Sequence, residues 1–157
     1  MFDIKNYIED EIFLKDIKGG SLIFYKNNKI QFYLKKCKNI TRITEYQGKK
    51  NILVKIEEEY KNFFKKLEKK FLEEKKKEEK DLISLMRTNK SGTILKLKVN
   101  KKRDKTYINV YNKFKEEIIE DELEKDSNID CLIELDRFWE YNGKIGYIVI
   151  VKKIYIK

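Results

Sequence analysis

Two groupings of residues in this chain have the types and spacing to do chemistry. Asp130, Glu134 and Asp136 fall on one alternating face of the segment from Ile129 to Tyr141. Clustered carboxylate oxygens hold divalent metals, and a metal-dependent nuclease could use this set. Acids are equally ordinary on a solvent-facing strand, and no lysine stands beside these three at a recognisable nuclease spacing. The second grouping sets tyrosines close to cations: Tyr33 with Lys35, Tyr107 near Lys105 and Arg103, and Tyr147 with Lys153 and Tyr155 on the last strand. Strand alternation puts residues two apart on one face, so rings and cations share a surface. A single nucleic-acid strand is held in that way, its bases stacking on aromatic rings for about 1–3 kcal/mol each while lysine and arginine follow its backbone.

The candidate contacts are spread along the chain. They are Tyr33, Lys35 and Lys36 in one strand, and Lys49 and Lys50 beside a turn. Lys96 and Lys98 lie in TILKLKV, and Lys102, Arg103 and Lys105 in the connector after it. Tyr107 and Tyr111 belong to TYINVYN, and Lys153 to the last strand. Each tyrosine also has a packing role open to it, at a sheet rim or under a helix. The one tryptophan, Trp139, is a core anchor or a stacking platform, and its large apolar area favours burial.

Other chemistries lack their residues. Histidine is absent, and Cys37 and Cys131 stand far apart with no CxxC, so no usual zinc set can be assembled. Base catalysis would fall to carboxylate, lysine or tyrosine. Gly19-Gly20 is not followed by the Lys-Ser/Thr of a phosphate loop. The expectation is a binder that is not an enzyme and takes no cofactor or metal.

The chain has 157 residues, enough for one domain, and its 37 Lys and Arg against 27 Asp and Glu leave a net charge of +10. A field of that sign attracts polyanions. The same lysine-rich, proline-free composition also follows from codon drift, which would leave a protein-interaction or structural subunit whose charge is incidental. Apolar residues at 41% exceed what a disordered chain carries. No apolar run is long enough to span a bilayer, and the acids within MFDIKNYIEDEIFLKDIKGG are unlike a signal peptide, so the expected location is intracellular, away from membranes.

Stepwise periodicity supplies the elements that must position these residues. Residues 1–18 read as a short helix or an extended arm ahead of one domain at 19–157. SLIFYKNNKIQFYLKKC is a hairpin with Ile30, Phe32 and Leu34 on one face and Gln31, Tyr33 and Lys35 on the other. A second hairpin turns at Gln47-Gly48-Lys49-Lys50. Tyr60, Phe63, Phe64, Leu67 and Phe71 form the apolar stripe of a helix within a helical insertion at 57–86, with Glu68 among the polar positions. TILKLKV and TYINVYN read as a third hairpin, and 115–126 as an acidic loop or helix set away from any phosphate. The strands on either side of Asn142-Gly143 form the last hairpin, whose final strand is apolar on both faces in simple alternation and reads as a barrel seam or an interface. Many short antiparallel strands around one helix predict an OB-fold-like Greek-key barrel.

The order ILVKI, YKNFFKKLEKKF, TILKLKV, TYINVYN and CLIELDRFWEYNGKIGYIVIVKKIYI resembles the OB-fold single-stranded-DNA-binding proteins of large nucleocytoplasmic DNA viruses, and distantly the OB-fold protein of short-tailed bacteriophages. The resemblance covers about residues 21–157. It implies single-stranded DNA binding with little sequence preference, in viral-type replication, repair or recombination, with replication proteins as partners and the host cytoplasm or a viral replication site as location. RNA is an open alternative strand. The resemblance makes Trp139 and Gly146 framework markers of the last hairpin and the outward tyrosines and lysines the DNA contacts. The family pattern has a second tryptophan soon after the glycine and a proline-containing turn after the strand that is here ILVKI. This chain has Tyr147-Ile148 and Glu57-Glu58-Glu59 at those places, and it ends IYIK where phage and bacterial relatives carry an acidic tail. A homodimer through the C-terminal strand is expected if that strand has an exposed edge.

Overall fold

In the computed structural model the described residues are 1–102, 105–106 and 108–157, and of Lys102, Lys105 and Thr106 only the backbone is described. In chain order the strands are β1 (Ile12–Ile17), β2 (Gly20–Tyr25), β3 (Asn28–Asn39), β4 (Thr44–Tyr46) and β5 (Lys49–Ile56). Helix α1 (Glu58–Lys75) follows, then β6 (Leu82–Ile83), β7 (Met86–Asn89), β8 (Gly92–Val99), β9 (Lys101–Lys102) and β10 (Lys105–Thr106). The chain closes with β11 (Asn109–Tyr111), β12 (Glu117–Ile118), β13 (Asn128–Tyr141) and β14 (Lys144–Ile156).

Five of these strands pair in a ring, β3-β5-β8-β14-β13 and back to β3. Within the ring β8 and β14 run parallel and the other neighbours antiparallel. Numbered as barrel strands one to five, they follow the order 1-2-3-5-4. This is the predicted OB-fold-like barrel, with the helix lying between its second and third strands. The alternating apolar residues expected from the sequence face inward: Ile30, Phe32 and Leu34 from β3, Ile52 and Val54 from β5, Leu95 and Leu97 from β8.

Helix α1 buries Tyr60, Phe63, Phe64, Leu67 and Phe71, the stripe that its spacing predicts. Phe71 meets Phe138 with centroids 4.7 Å apart, and Phe64 stacks on Tyr147 at 6.4 Å. Helix α1 ends where Lys76 adopts a left-handed conformation (φ 53°), and the rest of the expected helical insertion at 57–86 holds only a 3-10 turn at Glu79–Asp81 before strands β6 and β7.

Several expectations need correction. Within residues 1–18, read as a short helix or an extended arm, residues 9–11 form a 3-10 turn and residues 12–17 the extended strand β1, paired along its length with β2, and Phe2 packs on Phe32 and Phe63, so this segment packs on the rest of the barrel. TILKLKV and TYINVYN do not form a hairpin: β8 pairs with β5, and β11 joins the sheet parallel to β14. The acidic block, expected as a loop or helix away from phosphate, holds a 3-10 turn at Glu120–Glu122, buries Leu123 and pairs Glu120 with Lys50 and Glu124 with Arg42. Strand β14 does not keep one phase. Lys152 of β14 has no partner between the Leu132–Lys153 and Ile133–Val151 pairs, and this extra residue lets Tyr147, Val149 and Val151 point inward and then Ile154, while Lys153 and Tyr155 turn out. This strand is also flanked on both sides, by β13 on one and by β6, β8 and β11 on the other, so along those pairings it offers no edge to a second copy.

Candidate nucleic-acid interface

The outward residues of the second and third barrel strands follow from register. Asn51 pairs with Lys98, Leu53 with Lys96 and Lys55 with Ile94. Beside this face lies a groove of about 350 Å³, with Lys49, Asn51, Lys96 and Lys98 on one wall and Trp139, Ile148 and Ile83 on the other. No carboxylate lines it, and among the described residues none of its three lysines is in an ion pair.

Trp139 is half-buried here, its indole laid over Gly146, the residue it pairs with across the hairpin. A methyl group at Gly146 would stand 2.2 Å from the ring, so only glycine lets the indole lie that close. On the other flank, Gly20 of β2 passes so near the backbone that a Cβ there would sit 2.0 Å from the Phe138 carbonyl oxygen. These two glycines fix where the tryptophan sits.

The wall carrying Ile83 is tied down from behind. Strand β6 runs parallel to Ile145 and Gly146, and the Lys96 amide donates to the Leu85 carbonyl at 2.9 Å. The hydroxyls of Tyr147 and Ser84 both donate to Glu68 Oε2, at 2.6 and 2.5 Å. Burial, and then the Glu68 charge, push the Tyr147 phenol well above its ordinary range, so it stays a proton donor. Two hairpin tips flank the groove, and each carries an exposed tyrosine: Tyr46 pairs with the groove residue Lys49, and Tyr141 lies two residues from Trp139.

The structure divides the predicted contacts. Lys49, Lys96 and Lys98 come together in the groove. Lys50, next to Lys49, points the other way to Glu120, as alternation requires. Tyr33, Tyr111 and Lys153 lie on a different face, formed by β3, β13, β14 and β11. Lys35 and Lys36 line a larger cleft of about 750 Å³ against the N-terminal residues, but Glu57, Glu58 and Glu59 line it as well, which makes it a poor seat for phosphate. Lys102 and Lys105 sit in the small β9–β10 pair with side chains outside the description, and Arg103 and Tyr107 lie outside the described residues.

The carboxylates of β13 are not gathered for a metal. Asp130 pairs with Lys157 at 3.0 Å and accepts the Lys36 amide, Glu134 accepts from Gln31 at 2.7 Å, and Asp136 meets Arg137 at 3.0 Å. No group of three potential metal ligands exists among the described residues.

This barrel has solved counterparts. Over 97% of both chains it matches the single-stranded DNA-binding protein from bacteriophage Enc34 in a C-terminally truncated form, with a TM-score of 0.54 and 14% identity. The chain shares its fold with a phage single-stranded-DNA-binding protein. The same phage protein without that truncation matches at a TM-score of 0.54 over 92% of this chain and 88% of its own, with 14% identity. Its complex with single-stranded DNA matches at 0.51 and 11% identity over 96% of each. No protein-family model and no curated protein matches the sequence at a significant level.

The sequence leaves Trp139 a core anchor or a stacking platform, and it does not single out Ile83, Asn51 or Ile148 as groove residues. One signal was present: a tryptophan directly across a two-residue turn from a glycine is positioned to lay its ring on the sheet surface.

Proposed function

We propose that the protein binds single-stranded nucleic acid, foremost single-stranded DNA, without catalysing its cleavage and with little sequence preference. The observation that carries this reading is the groove: three lysines without carboxylate partners facing a half-buried tryptophan. Lysines there follow phosphates and Trp139 offers a ring to a base. The location agrees with the general habit of this barrel, which binds oligonucleotides on the face of its second and third strands and the adjoining loops. The phage neighbour described as a complex with single-stranded DNA supports the same reading. The likeness of CLIELDRFWEYNG to proteins of large DNA viruses favours a role in viral-type replication, repair or recombination inside the host cell, beside replication proteins.

The test is a titration of intrinsic fluorescence, which Trp139 dominates as the one tryptophan, with oligothymidine and with a duplex control across a salt series. Expected are quenching by the single strand, weaker duplex binding, and a log–log salt slope of about −0.7 per phosphate contact. Lys96→Ala and Lys98→Ala should each remove about one such step. Absence of oligonucleotide binding would favour the protein-interaction reading, and salt-independent binding would sink the groove. Oligouridine run in parallel separates RNA from DNA.

A further inference from the structure

We propose that the tyrosine strip on the β3, β13, β14 and β11 face is a second seat for the same nucleic-acid strand, reached by following β14 out of the groove. The proposal rests on the groove binding a single strand and adds where that strand goes next.

Tyr155 stacks on Tyr111 with centroids 4.9 Å apart and planes at 14°, and Tyr33 lies 6.2 Å from Tyr155. All three are partly exposed. Register explains the strip: Tyr155 pairs with Tyr111 on one side and Asp130 on the other, while Leu132 lies between Tyr33 and Lys153. Leu132 is buried but stands outside the barrel core, so it is covered from without by this strip. A row of rings outside a closed barrel does nothing for its interior packing, which the opposite faces of these strands already supply.

The charges around the strip suit a polyanion. Lys153 has no ion pair among the described residues and lies close enough to Tyr33 to act on its phenol. Of the carboxylates paired in register with the strip, Asp130 is held by Lys157 and the Lys36 amide, while Glu117 accepts from the Asn109 amide and keeps its charge at the strip's far edge. The two sites share a strand, since β14 contributes Ile148 to the groove and, seven residues on, Tyr155 to the strip. At about 3.3 Å per strand residue that separation is about 23 Å, a span of several nucleotides. Rings, a lysine with no ion pair among the described residues and a strand shared with the first site favour a nucleic-acid strand over a protein partner as occupant.

The experiment compares oligothymidines of about 5 and about 15 nucleotides, near the ends of the range that one barrel of this kind covers. The wild-type protein should bind the long strand far more tightly than the short one. The pair Tyr111→Ala with Tyr155→Ala should leave the short strand's affinity unchanged and weaken the long strand's about tenfold, the loss of about one stacked base. Tyr111→Phe with Tyr155→Phe should restore it, since the rings return. Lys153→Glu, at a partly exposed position, should lower the salt slope on the long strand only. Equal effects of these variants on both lengths, or no effect on either, overturn the second seat while the groove stands. A wild-type protein that fails to bind the short strand overturns the groove itself.

Discussion

At the residue scale the groove depends on one contact, the Trp139 indole on Gly146. A methyl placed at 2.2 Å from the ring must expel it, and the half-buried indole has solvent to move into. Gly146→Ala is therefore expected to red-shift the tryptophan emission and weaken oligothymidine by about 1–3 kcal/mol, the value of one stacked base, as fluorescence titration would show. An unshifted emission maximum would mean that the ring is not held as described. Lys49 and Lys50 show how much was legible at this scale. Their sequence positions mark both as candidate contacts, and strict alternation sends one to the groove and the other to Glu120. Alternation was readable from the sequence, but which side of the strand faced solvent was not, because that depends on where the barrel closes.

At the element scale, helix α1 and the β6–β7 segment act together. The apolar stripe of α1 was legible because its 3.6-residue period is local. The role of Glu68 was not, because its partners Tyr147 and Ser84 come from 79 and 16 residues away. Glu68 is buried, and two hydroxyls hold its Oε2. Tyr147→Phe removes one of them and leaves a buried carboxylate less well satisfied, at a cost of about 1–3 kcal/mol. Urea denaturation should register that loss. The same variant should weaken oligothymidine binding while keeping the salt slope, because the wall bearing Ile83 and Leu85 loosens and the lysines stay in place. A change of slope would place Tyr147 among the phosphate contacts instead. The final strand offers the converse case. Its two-sided apolar pattern was readable, but the extra residue at Lys152 that re-phases it, turning Lys153 and Tyr155 outward, is set by pairing between strands.

At the scale of the whole molecule, the barrel interior sets a pH dependence. Burial, with the charges of Asp130 and Glu57 behind it, pushes the Cys37 thiol up to about 12 from 9.0, and burial also raises Cys131 well above its ordinary value. An unfolded chain loses these protons near pH 9 and the folded chain keeps them, so stability should fall as pH rises from about 9 towards 12. Cys37→Ala should flatten that decline in denaturant titrations at successive pH values, and an unchanged slope would show that the thiol is not held neutral. Both thiols should resist alkylation in the native protein, since the thiolate is the reactive species and neither side chain reaches solvent. The sequence by itself determined the fold class, the helix stripe, the turns and the cationic, aromatic character of the outer strand residues, because propensity and periodicity act over a few residues. Only the tertiary structure decided that these outer residues divide between a groove and a tyrosine strip, that Trp139 lies over Gly146 at the groove, and that the acidic segment reaches Lys50 and Arg42. Those juxtapositions depend on register and barrel closure, which join residues that are distant along the chain.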